Sequence, residues 1–229
     1  MPPDLATIAD PPFMLLAWGA GLALTVAFIS MARVVGAGYT WLTGGVAMVI
    51  ALPGALSQDA WWARGGVVLI GLGLIWARNR PFAAVLIGLG SLALLVEASF
   101  LGGALLATSG ALALGGVTGE MALGHWYLVD PRLPRWALRS LAALAIGGLL
   151  FDSAGVWLGV GFPAGGGQLA FWVLAATSVL LMMAVLGALR YPAYSGVMAA
   201  TGLSYLAVLT TLGTVFVGRA LAVGLGPFA

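Results

Sequence analysis

Four side chains in this sequence could do chemistry inside long apolar runs: Glu97, Glu120, His125 and Asp152. An ionisable group at membrane depth is costly, so each one asks for a partner or a purpose. Three carboxyls at two depths could pass a proton, and a lone imidazole could ligate a borrowed metal or haem iron, or hydrogen-bond a quinone carbonyl.

Spacing places these groups. A helix rises about 1.5 Å per residue, which puts Glu97 and Asp152 at similar depths toward one face of the membrane and Glu120 toward the other. Five residues at about 100° each set Glu120 and His125 about 140° apart on one helix, which predicts two separate environments. Gly116 and Gly124 flank Glu120 at four residues on either side, leaving its carboxyl beside a bare groove. Two readings follow: a protonated carboxyl bonding a neighbouring helix, or a ligand or proton site. Glu97 and Asp152 are expected to share a proton or to meet Arg219, and a structural pair is the favoured reading. His125 stands next to Trp126 and Tyr127, just before the arginines Arg132 and Arg135, where interfacial packing competes with contact to a quinone, haem, pigment or lipid held at a subunit interface. Thr201, Ser204, Tyr205 and Thr211 fall within about 120° of one another as a polar stripe on the last helix.

The elements that must carry these residues are plain from hydropathy. Apolar residues make up 62% of the 229 positions and charged residues 7%. Eight apolar runs, at about 12–35, 39–57, 61–77, 81–101, 105–128, 136–160, 168–190 and 194–221, approach the roughly 20 residues that cross a bilayer. The predicted fold is an all-α, polytopic transmembrane bundle with short loops, a single integral membrane domain over 1–229. The third run is the shortest. Pro53-Gly54 is expected to kink or end the second helix, and 161–167 reads as a flexible loop.

Arg33, Arg78, Arg80, Arg132, Arg135, Arg139 and Arg190 fall at alternate ends, with Arg64 and Arg219 opposite. That bias puts the arginine-rich ends in the cytoplasm and both termini on the other side, together with Asp4, Asp10 and Asp59. The opening ten residues lack a basic n-region, so the first helix is expected to stay in the mature protein. Seven of nine tryptophans sit near predicted helix ends, as interfacial rings do. Spacings such as Gly115-x-x-x-Gly119 and Gly155-x-x-x-Gly159 predict close helix contact. The pentapeptide Leu-Ile-Gly-Leu-Gly occurs at 69–73 and again at 86–90, a faint internal echo.

Composition also excludes. With no cysteine, one histidine and no lysine, the chain has no disulfide, no cysteine-ligated cluster, no internal bis-histidine haem and no Schiff base of its own. No phosphate-binding glycine loop, paired-histidine helix or nucleophile elbow appears, and no basic run tracks nucleic acid. Arginine-only, Ala/Gly-rich usage points to a prokaryotic genome and hence the inner membrane. The expected function is a non-catalytic integral membrane subunit of a larger electron-transfer or proton-translocating complex, whose cofactors belong to partner subunits. The alternative is a small proton-coupled transporter or proton conductor using Glu97, Asp152 and Glu120.

Overall fold

A computed structural model describes residues 11–57, 60–160 and 166–222. Asp4, Asp10, Asp59 and most of the 161–167 loop lie outside them. The described residues form eight helices: α1 Pro11–Met31, α2 Ala37–Ser57, α3 Trp61–Ile75, α4 Arg80–Gly102, α5 Ala104–Val129, α6 Arg135–Val160, α7 Gly166–Ala188 and α8 Tyr194–Ala222. Among the described residues there is no strand.

Local chemistry sets the ends. Pro11 and Pro12 open α1, and Pro81 stands in the first turn of α4, where a missing N–H leaves nothing unsatisfied. Arg33 closes α1 at φ 56°, and the Val34 N–H reaches back to the Ile29 carbonyl at 3.3 Å, satisfying an end carbonyl that the helix cannot. Pro53 does not end α2, which runs on to Ser57. One residue, Gly103 at φ 85°, joins α4 to α5.

Consecutive helices are antiparallel. Ser30 meets Thr40 across α1 and α2, Gly73 faces Ala83 across α3 and α4, Ser109 meets Asp152 across α5 and α6, and Ser178 meets Thr210 across α7 and α8. The up-and-down course gathers the Arg33, Arg80, Arg135 and Arg190 ends at one end of the body.

The helices form two rings of four. In the first, α1 packs on α2 and α4, and α3 on α2 and α4; in the second, α5 packs on α6 and α8, and α7 on α6 and α8. The rings meet along α1 and α5, which run parallel. At that seam a side chain on Gly21 would strike the Ala111 carbonyl, one on Gly115 would strike the Gly21 backbone, and Gly119 lies against Thr25. The Gly115-x-x-x-Gly119 spacing therefore does mark a backbone-distance contact. The Leu-Ile-Gly-Leu-Gly echo falls wholly within the first ring, on α3 and α4, and so does not trace this halving.

Six helices (α1, α2, α4, α6, α7 and α8) are long and apolar enough to cross a membrane. The other two differ for opposite reasons. α3 has only 15 residues. α5 has 26, but glycines, Thr118 and Glu120 dilute its hydropathy. A helix touching α1, α4, α6 and α8 has little lipid to face, so it tolerates a composition that lipid would penalise.

Candidate functional site

The intramembrane charges divide by partner. Asp152 on α6 lies between Ser109 of α5, whose hydroxyl donates to Oδ1 at 2.6 Å, and Arg219 of α8. Arg219 engages both carboxylate oxygens, Nη2 to Oδ1 at 2.5 Å and Nη1 to Oδ2 at 3.3 Å, and its Nη2 also donates to the Leu106 carbonyl at 2.8 Å. Neither charged side chain is exposed. Gly110 makes the room, since a Cβ there would stand 2.8 Å from Arg219 Nη2. Of the two expected arrangements for Asp152, the meeting with Arg219 is the one formed.

Glu97 is elsewhere. Its buried carboxyl accepts a hydrogen bond from the backbone of Ala63, in the first turn of α3. The N-cap residue of that helix, Ala60, has no side chain to offer, so an acid from α4 satisfies an orphan N–H and sits at the positive end of the α3 dipole.

Glu120 is fully buried on α5. Ser204 of α8 donates to its Oε2, and the same hydroxyl lies 2.8 Å from the Ala200 carbonyl. Oε1 has no hydrogen bond. The groove expected beside it is occupied: Gly116 receives Ala145 of α6, and Gly124 receives Thr201 of α8. Thr201, Ser204 and Thr211 of the expected stripe face inward, whereas Tyr205 is exposed.

Near the arginine-rich end, the interfacial candidates separate. His125 and Trp126 line a cleft of about 260 Å3 between α2 and α8, floored by α1 and α5. The Tyr205 hydroxyl lies 3.5 Å from His125 Nδ1. Tyr127 is buried on another side of α5 and is not part of the cleft. Arg132 donates its backbone N–H to Asp130 Oδ1 at 3.2 Å in a tight turn. Arg135 donates to the carbonyls of Tyr191, Pro192 (2.6 Å) and Ala193 (3.2 Å), and Arg139 to that of Leu189 at 2.9 Å. These cations hold the carbonyl-rich end of α7, as expected of charge at a helix C-terminus.

Trp18, Thr43 and Thr118 complete the cleft. Trp18 Nε1 donates to Thr118 Oγ1 at 3.3 Å, and Tyr39 stacks edge-to-face on Trp126 with ring centroids 6.0 Å apart. Trp18 on α1 and Tyr39 and Thr43 on α2 read as ordinary apolar-helix positions, so no sequence signal singled them out. Among the described residues no three of His, Cys, Asp or Glu gather in a group able to hold a metal ion. The cleft offers hydrogen-bonding groups and aromatic surface. No family model, curated protein or solved structure matches this chain.

Proposed function

We propose that the chain is a non-catalytic integral membrane subunit of a larger electron-transfer or proton-translocating assembly, with its arginine-rich end in the cytoplasm of a prokaryote, crossing the inner membrane eight times. The observation that carries this reading is that its ionised groups serve the fold. Asp152 with Arg219 ties α6 to α8 and α5, Glu97 caps α3, and Arg135 with Arg139 caps α7. A chain whose buried ion pair, helix-capping acid and loop arginines act as fasteners, and which carries a cleft facing the bilayer, suits a scaffold whose cofactors sit on neighbours. The test is extraction from the native membrane in mild detergent, with mass spectrometry of what travels with the protein. Stoichiometric partners carrying redox centres are expected; migration alone or as a homo-oligomer overturns the subunit reading.

One observation favours a second reading, a small proton-coupled transporter. Two four-helix halves meeting along α1 and α5 resemble the parallel repeats of some transporters, and Glu120 keeps one buried carboxyl oxygen without a hydrogen bond. Glu97 then fastens helices within the first half and Asp152 within the second, and Glu120 carries the proton. Loss of proton flux in liposomes on Glu120→Gln, with folding intact, would select this reading.

A further inference from the structure

The cleft between α2 and α8 has walls of a particular chemistry. Trp18 of α1 and Trp126 of α5 give it indole surface, with Tyr205 of α8 at the rim. Leu22, Val46, Ile50 and Met121 fill the rest, and no Asp, Glu or Arg side chain lines it. Trp126 is held in place from behind, by the buried Tyr39 ring and by Gly38, whose missing side chain admits the indole edge.

Into this apolar surface the protein places a few polar groups. His125 is exposed, its Nδ1 lies 3.5 Å from the Tyr205 hydroxyl, and its Nε2 makes no hydrogen bond among the described residues. Thr43, buried on α2 beside the Tyr39 phenol, lines the cleft across from α5. Thr118 is already engaged, accepting from Trp18 and donating to the Leu114 carbonyl at 2.5 Å. An imidazole facing hydrocarbon pays a desolvation cost unless something bonds it.

We propose that this cleft binds one neutral, lipid-soluble ring compound bearing ring carbonyl or hydroxyl oxygens, of the quinone class, which enters sideways from the bilayer. Its volume selects a ring. About 260 Å3 lies just under the roughly 300–1,000 Å3 of small-molecule sites, enough for a flat head and the start of one tail, and too small for a two-chain phospholipid. The absence of charge from the lining selects a neutral head over a phosphate. Indole faces stack on the ring, and His125 and Thr43 meet oxygens on its edges. The lipid-facing rim residues Leu42, Val46 and Tyr205 leave the tail in the bilayer. The inference concerns the cleft alone and holds whether the chain works as a subunit or by itself.

The test uses the full chain in lipid nanodiscs and a benzoquinone with a decyl tail as the probe, read by quenching of tryptophan fluorescence. Saturable one-site quenching is expected. Trp126→Phe should remove a large part of it, and His125→Ala and Thr43→Val should each weaken Kd about tenfold, the loss of one hydrogen bond. His125→Gln keeps a donor and should recover most of the affinity, which separates a ligand contact from a folding defect. Quenching that rises linearly with probe, equally in every variant, overturns the proposal. So does full competition by decyl alcohol, which would make the cleft a groove for a lipid chain.

Discussion

Arg219 of α8 and Asp152 of α6 form a two-pronged salt bridge with neither side chain exposed, so that the last helix is bound to the centre of its ring by a charge pair. The pair's partners are few and local: Ser109 and the Leu106 carbonyl, both on α5.

Removing one member should hurt more than removing both. Asp152→Asn leaves a buried guanidinium without its counter-charge, at a cost of about 3–5 kcal/mol, whereas Asp152→Leu with Arg219→Met should recover most of that loss. Thermal unfolding in detergent measures both; single variants as stable as the parent would show that the bridge does not secure the fold.

Glu120→Gln should leave stability nearly unchanged, because the amide oxygen still accepts from Ser204. Ser204→Ala leaves Oε2 as well as Oε1 without a partner and should destabilise by about 1–3 kcal/mol. Equal stability of the two variants in the same unfolding assay would count against a structural role for this hydrogen bond.

Glu97→Ala should loosen the first turn of α3 by about 0.5–2 kcal/mol, the scale of a lost helix cap, and Glu97→Gln should loosen it less. Amide hydrogen exchange at Ala63 and its neighbours reads this directly. Unchanged exchange at Ala63 in the alanine variant would sink the capping role.

Glycines separate by what they touch. Gly115→Ala drives a methyl into the backbone of Gly21 and should part α1 from α5, seen as a marked fall in folded yield. Gly202→Ala on α8 meets nothing within 4 Å and should stabilise by about 0.5–1 kcal/mol, since a helical alanine has less freedom to lose. If both changes behave alike, the seam is not the tight contact described here.

Reporters fused within 131–135 and after Ala229 check sidedness: the first should report cytoplasm and the second the opposite face. Both on one side would mean that one of α6, α7 and α8 fails to cross, whereas an exchange of the two sides would point to the 15-residue α3.

Much of the fold is legible in the sequence because lipid writes it there. Helix ends at 57, 61, 160 and 194 agree with the hydropathy runs, since a polar backbone cannot stop inside hydrocarbon. The Asp152 and Arg219 meeting is legible for a related reason, as two costly charges at one depth seek each other. What the sequence hides is lateral. Glu97 answers a backbone N–H more than thirty positions away, and any uncapped helix start would read the same. Thr43 and Trp18 gain meaning only from where α2 lies relative to α8, which depth and periodicity do not specify. The two rings are likewise hidden, for similarity of packing between halves needs no similarity of residues.

Those rings have one more implication. Each closes on itself, both run the same way through the body, and their main contact is a line of small residues on α1 and α5, with α4 also touching α5 and Gly103 as the sole covalent splice. With a single residue between α4 and α5, the two halves have little freedom to part, so the register of α1 against α5 fixes how both sit in the body.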